Sequence, residues 1–216
     1  MDKQSLQVLQ NIVLFFNRTD GRDKLVKFLQ NFCRYRKYYE TNSKKQKQWK
    51  AVQSSLSEFR SIIKFGKPFK NLAEVNSLVD TSPSFGFLEY FKTLSLLSDI
   101  GYKVGDNLEY LSHYKFLSFN EERCESWSKM FQFYAYFIDA IVGWYEICQL
   151  RIDQFKNEEE YREKRKQMIL YWSGDLLDFF RVTPKFLFKK HDGFSGLCGL
   201  WVGLVGCIKV WNKVSK

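Results

Sequence analysis

The residues with the clearest chemistry in this sequence form an apolar stripe that is bordered by cations. Within residues 48–65, large apolar side chains recur at steps of 3, 4, 3 and 4, with Ile62 beside them. They are Trp49, Val52, Leu56, Phe59 and Ile63. On a helix these side chains share one face. We predict that all six insert between lipid headgroups, and that neighbouring cations bind the headgroups. Those cations are Lys50, Arg60, Lys64 and Lys67. The alternative is a stripe that faces the core of a soluble bundle.

Side chains with catalytic chemistry do not form a recognisable site. The two histidines, His113 and His191, have no histidine partner at metal-ligand spacing. Residues 192–196 lack the pattern of a nucleophile elbow, and the sequence contains no glycine motif for binding nucleotide phosphates. We therefore predict that the protein is not an enzyme and that it needs no cofactor or metal.

Positive charge is concentrated in the N-terminal third of the chain. The net charge is +10, and residues 1–75 account for all of it, with 16 Lys and Arg against 6 Asp and Glu. A local basic field predicts an anionic partner, either phospholipid or nucleic acid. The five cysteines are odd in number and include no CxxC motif, which predicts free thiols.

Helices are expected to position these residues, because only 3 prolines and 12 glycines interrupt 216 residues. Apolar periodicity predicts helices over residues 4–17, 22–40, 48–65, 121–155 and 158–181.

Capping and helix-breaking residues predict where several helices begin and end. Asp20 is expected to cap the second helix and Asn157 the last of the five. Gly66 and Pro68 are expected to end the third. A further helix is expected to begin at Ser82-Pro83 and to be bent or broken by glycine before residue 117. The glycines concerned are Gly101 and Gly105.

A glycine-rich apolar segment covers residues 193–211. Four glycines repeat in it at steps of 3, 4 and 3, namely Gly196, Gly199, Gly203 and Gly206. Because small residues let membrane helices approach closely, we predict a membrane helix that packs through this face. The alternative is a buried helix of a globular fold.

A second apolar segment, residues 131–150, is interrupted by Asp139 and Glu146. The two carboxylates lie seven residues apart, and hence on one helical face. Carboxylates that face lipid are costly, so we expect them to turn inward within a bundle. The alternative is that this helix belongs to the core of a soluble fold.

The stretch from Asn17 to Lys24 resembles the opening signature of the peroxin-11 family. That signature is a Gly-Arg-Asp-Lys turn before a helix that carries a basic residue, then Gln, then Arg. The matching residues are Gly21, Arg22, Asp23, Lys24, Lys27, Gln30 and Arg34. Asn31 stands where the family usually has tyrosine. Residues 57–67 resemble the family's basic amphipathic helix, and Asp106 with Asn107 opens a third similar motif.

This resemblance implies residence in the membrane of peroxisomes, or of a specialised peroxisome-like organelle. It also implies self-association and recruitment of a fission machinery, comprising a dynamin-related GTPase and its tail-anchored receptor. Some members of the family are proposed to form pores for small metabolites.

Together these observations predict an all-α, membrane-associated helical bundle with amphipathic N-terminal helices and a glycine-rich C-terminal membrane helix. Residues 1–80 are expected to bind the membrane surface. Residues 81–216 are expected to form a helical region that contains both apolar segments. The predicted function is to bind and deform the bilayer, so that peroxisomes elongate before fission and their number and size are controlled. The alternatives are a metabolite channel, motivated by Asp139 and Glu146, and a soluble nucleic-acid-binding module. We favour anionic phospholipid and expect no nucleic-acid partner.

Overall fold

The structure is a computed structural model that describes residues 2–81, 86–183 and 192–215. Eight α-helices and one short 3₁₀ turn make up the described regions, in which there is no strand. The all-α prediction is therefore confirmed. The helices are α1 (Lys3–Asn17), α2 (Thr19–Tyr39), α3 (Ser43–Ile63), α4 (Lys67–Thr81), α5 (Phe87–His113), α6 (Glu121–Gln149), α7 (Glu158–Val182) and α8 (Asp192–Val214).

The helices form two compact units. The first contains α1, α2, α3 and α8, and the second contains α4, α5, α6 and α7. The units do not follow the predicted division at residue 80, because the chain leaves the first unit after Ile63 and returns to it with α8. That division remains a prediction about which region meets a membrane surface.

In the first unit, α2 is the central helix. It packs against α3 and α8, while α1 contacts both α2 and α8. The buried apolar side chains come mainly from α2 and α8: Val26, Cys33, Cys198, Val202, Val205 and Val210. No residue of α3 is buried, although the helix has 21 residues. The helix therefore lies on the unit's surface.

In the second unit, α5 and α6 form the central pair. Gly105 lies against Ser128 while Lys92 pairs with Glu146, so the two helices run antiparallel. The outer helix α4 packs on α5, and α7 packs on α6. Burial within this unit raises the pKa of Tyr136 well above its ordinary value.

Capping was predicted correctly at one helix and incorrectly at another. The Asn157 side chain accepts a hydrogen bond of 2.8 Å from the backbone N–H of Glu160, which confirms it as the cap of α7. Asp20 instead lies in the first turn of α2, which begins at Thr19. The third helix begins at Ser43, earlier than predicted, because the Asn42 side chain accepts hydrogen bonds from the N–H groups of Lys44 and Lys45.

Of two predictions about helix breakers, one is confirmed and one is wrong. The third helix ends at Ile63, before Gly66 and Pro68, as predicted. Pro68 itself lies in the first turn of α4, where proline is tolerated because no intrahelical N–H bond is needed, and α4 was not predicted. Gly101 and Gly105 do not break α5, which is continuous over 27 residues. Both glycines face α6, where a side chain would collide with Phe131 or Ser128. The predicted start at Ser82-Pro83 lies outside the described residues.

Candidate membrane interface

The apolar stripe of α3 divides into two rows. Val52, Phe59 and Ile62 are exposed by 47%, 45% and 53% respectively. The other three predicted residues, Trp49, Leu56 and Ile63, are half-buried and recur at a spacing of seven. A row with that spacing follows one helical seam, so α3 uses it to pack against α2. The exposed row remains available to a membrane.

Trp49 belongs to the packed row. Its ring meets that of Phe32 edge-on, with centroids 6.0 Å apart, and the guanidinium of Arg36 lies 5.8 Å above it. Because both partners belong to α2, insertion of Trp49 into lipid would require these contacts to break.

Arg60, a predicted headgroup ligand, lies in an ion pair between two helices. Its Nε lies 3.0 Å from the Asp23 carboxylate, and its Nη1 donates to Gln30 Oε1 at 2.9 Å. The Arg60 and Asp23 side chains are only 13% and 5% exposed. Arg60 therefore joins α3 to α2 instead of pointing towards solvent.

Lys64, also a predicted headgroup ligand, lies in a second ion pair. It is buried in the second unit, where its Nζ donates to Tyr102 Oη at 2.7 Å and lies 3.2 Å from Asp106 Oδ2. Lys50 is exposed and Lys67 is half-buried. Of the four predicted headgroup ligands, Lys50 is therefore the one whose side chain is exposed in the structure.

The residues that carry the family resemblance hold helices together. Asp23 and Gln30 bind Arg60 of α3, while Arg34 Nε lies 3.6 Å from Asp192 at the start of α8. Lys27 is 1% exposed. At Gly21, an added Cβ would lie 2.1 Å from the backbone oxygen of Phe15, so α1 and α2 meet closely there.

Three further signature residues lie apart from these contacts. Arg22 is exposed, and Lys24 is half-buried beside α8. In the second unit, the side chain of Asn107 donates to the backbone oxygen of Phe65.

The glycine face of α8 is covered by α2. A Cβ added at Gly196, Gly199, Gly203 or Gly206 would lie 2.0–2.9 Å from atoms of α2, which is closer than real Cβ atoms approach. The facing residues, in the same order, are Tyr35, Asn31, Phe28 and Lys24. The glycines therefore permit close packing within the chain, and a second copy could reach this face only by displacing α2.

The α8 helix is also the one described helix that is long and apolar enough to cross a membrane. Its 23 residues correspond to about 35 Å, which exceeds the hydrocarbon thickness of a bilayer. Leu197, Trp201 and Leu204 project from it and are exposed. One face thus packs on α2, while another presents apolar side chains outward.

The first helix, α1, is a further apolar surface that the sequence analysis did not assign to the membrane. Seven of its 15 residues are exposed and apolar: Leu6, Val8, Leu9, Ile12, Val13, Leu14 and Phe16. This surface could have been recognised in the sequence, because residues 4–17 carry no charge and have apolar residues on more than one helical face.

The interior carboxylates of α6 face α5. Asp139 accepts a hydrogen bond from Ser95 Oγ, and Glu146 lies 2.7 Å from Lys92 Nζ. Both residues thus form contacts between helices, in keeping with the expectation that they turn inward.

Potential metal ligands and thiols are the remaining groups with chemical reactivity. Within the described ranges, no group of His, Cys, Asp and Glu is arranged to hold a metal ion. All five cysteines are free, as predicted, and burial raises the pKa of the Cys33 thiol.

Comparison with known proteins assigns the chain to a family. The family model for Peroxisomal biogenesis factor 11 (PEX11) matches residues 9–211, which is nearly the whole chain. No curated protein sequence and no solved structure matches this chain. This family comprises peroxisome biogenesis factors and is not a known enzyme family. The chain therefore belongs to the Peroxisomal biogenesis factor 11 family, whose members are peroxisomal membrane proteins.

Proposed function

We propose that this protein elongates the peroxisomal membrane before fission by inserting apolar side chains of its first unit into one leaflet. The observation that carries the proposal is the exposed row of α3, formed by Val52, Phe59 and Ile62. These side chains can enter lipid without breaking the packing of α3 on α2. Insertion into a single leaflet expands that leaflet and bends the membrane.

The free energy available from α3 alone is modest. Full burial of a large apolar side chain contributes roughly 1.5–3 kcal/mol, so three half-exposed side chains contribute about 3–4 kcal/mol before ordering costs. The seven exposed apolar residues of α1 would add about twice that amount by the same measure. We therefore include α1 in the inserting surface. Lys50 adds about 1 kcal/mol if the leaflet is anionic.

The test compares the same new charge on two sides of α3. Phe59→Glu places a carboxylate in the exposed apolar row, whereas Ser57→Glu places it at a polar, exposed position of the same helix. We expect only Phe59→Glu to abolish tubulation of anionic liposomes by the full protein and to shorten peroxisomes in cells. If both variants tubulate equally well, α3 is not the inserting helix.

A matched pair on α1 tests the second part of the surface. Val13→Glu should weaken liposome binding, while Gln10→Glu, at an exposed polar position, should not. Equal binding by this pair, together with a clear effect at Phe59, would restrict the inserting surface to α3.

Self-association and recruitment of a dynamin-related GTPase with its tail-anchored receptor remain part of the proposal. Their support is the family resemblance. Since α2 covers the glycine face of α8, we place self-association on another surface. Cross-linking in native membranes, followed by mass determination, tests whether the chain forms oligomers and whether it contacts the GTPase.

The two alternative functions are less well supported. The channel was motivated by Asp139 and Glu146, whose contacts with Ser95 and Lys92 are accounted for by packing between α5 and α6. Nucleic-acid binding was motivated by basic charge, yet Arg60 and Lys64 are engaged in ion pairs. Membership of a peroxisomal membrane family favours lipid as the anionic partner.

A further inference from the structure

The second unit carries an uncharged apolar surface that the proposed function does not use. Along α6, six large side chains recur at steps of 3, 4, 3, 4 and 3, and all are more than 40% exposed. They are Trp127, Met130, Tyr134, Phe137, Ile141 and Trp144. This row points away from the interior carboxylates Asp139 and Glu146, which face α5.

The neighbouring helix α5 carries a matching row. Its exposed apolar residues follow the same spacing, interrupted at position 101, where Gly101 lies against Phe131 of α6. They are Phe87, Tyr90, Leu94, Leu97 and Val104. Each of the two rows covers about 26 Å of helix, at 1.5 Å per residue.

The two rows lie on the same side of the α5–α6 pair. Viewed down the axis of α5, the exposed row of α5 lies roughly 90° to one side of the direction that points to α6. The helix α4 lies roughly 100° to the other side of that direction. Because α6 runs antiparallel to α5, successive residues of the two helices turn in opposite senses when both are viewed from the same end. The exposed row of α6 therefore falls on the same side of the helix pair as the exposed row of α5. The rings of Phe87 and Tyr145 meet across the seam with centroids 6.0 Å apart.

The opposite side of this unit carries charged side chains, although α4 also exposes Phe69, Leu72 and Val79. There α4 exposes Lys70 and Glu74, which form an ion pair on its surface. Between α4 and α5, Asn71 Nδ2 donates to Asp99 Oδ2, which also pairs with Lys103. The two sides therefore differ in charge: the rows of α5 and α6 contain none, whereas α4 mixes charged and apolar side chains.

We propose that this α5–α6 face lies in the membrane, embedded in one leaflet with the helix axes along the bilayer surface and acyl chains as its occupant. Three observations favour lipid. The rows contain no charge, their Trp and Tyr side chains suit the headgroup boundary, and the chain belongs to a peroxisomal membrane family. The in-plane orientation follows from α4, because upright helices would carry Lys70 and Glu74 into hydrocarbon.

The test uses photo-cross-linking in the full protein, reconstituted into vesicles of equal parts phosphatidylcholine and phosphatidylethanolamine. A benzophenone amino acid replaces Leu97 or Phe137 on the proposed face, or Leu72 of α4 as the control. Leu72 and Leu97 are the same residue type and are 49% and 47% exposed, so exposure alone does not separate them.

We expect lipid adducts at Leu97 and Phe137 at about fivefold the yield at Leu72. Adducts that join two protein chains at both positions would overturn the proposal and assign the face to a second copy. Yields equal to that of Leu72 would also overturn it. The use of two positions on different helices guards against misfolding of one variant. The result does not depend on Phe59 or Val13, so the inference and the proposed function can fail separately.

Discussion

Replacing Gly203 by leucine tests whether the glycine face of α8 meets protein or lipid, because the two environments predict opposite signs. An added Cβ would lie 2.6 Å from Phe28 Cα and 2.8 Å from Phe28 Cβ and N. Two of these three atoms belong to the backbone, so a change of rotamer cannot relieve the collision. Since ordinary carbon contacts are about 3.5–4.0 Å, α2 and α8 must separate by about 1 Å.

The expected loss of stability follows from this separation. Overpacking of a close interface costs about 1–3 kcal/mol, and leucine adds three further carbons beyond Cβ. A gap of about 1 Å also forfeits up to half of the dispersion energy at neighbouring contacts. Leucine recovers roughly 0.8 kcal/mol of helix propensity relative to glycine. We therefore expect Gly203→Leu to reduce the free energy of unfolding by about 1–3 kcal/mol.

The assay is unfolding of the purified protein in mild detergent, followed by tryptophan fluorescence, since α8 carries Trp201 and Trp211. The control is Leu204→Phe, which enlarges the adjacent residue on a face that is 43% exposed, and should change the free energy of unfolding by less than about 0.5 kcal/mol. If Gly203 faced lipid, leucine would stabilise α8 through helix propensity and apolar contact. An unfolding midpoint for Gly203→Leu that equals or exceeds the wild-type value would refute the packing of α8 on α2.

Three further substitutions test the polar contacts, each through the same unfolding assay. Asp23→Asn leaves the largely buried Arg60 without its counter-charge and should cost the first unit about 3 kcal/mol, so an unchanged midpoint would contradict the ion pair. Lys64→Met leaves Asp106 unpaired and should cost the second unit a similar amount, about 3 kcal/mol; the double variant with Asp106→Asn should recover part of that loss. For Glu109, burial and then the nearby Asp106 raise the pKa in the folded protein to about 7. The stability that the protonated carboxyl contributes is therefore fully present below the unfolded pKa and is lost as pH rises through 7. Glu109→Gln should therefore be more stabilising, relative to wild type, at pH 8 than at pH 5; a difference independent of pH would oppose this assignment.

The sequence was sufficient to predict the helices that have strong local signals. Asn157 was recognised as a cap because its side chain bonds a backbone N–H only three residues away. The C-terminal helix was predicted because residues 194–208 contain no charge, and a long uncharged run is a property of composition. Local signals are incomplete where the same residue has two uses. Pro68 follows the end of α3, as predicted, but it also lies in the first turn of α4, a helix that the sequence signals do not predict.

What the sequence by itself determined is the all-α class, the amphipathic character of residues 48–65, and the family to which the chain is similar. These depend on periodicity and composition, which are local along the chain. Only the tertiary structure decided which half of the α3 stripe is exposed, and that Arg60 and Lys64 are held in ion pairs. Arg60 lies 37 residues from its partner, and Gly203 meets Phe28 from the far end of the chain. Contacts of this kind depend on how helices pack, because a helical wheel shows that a face is apolar without showing what covers it.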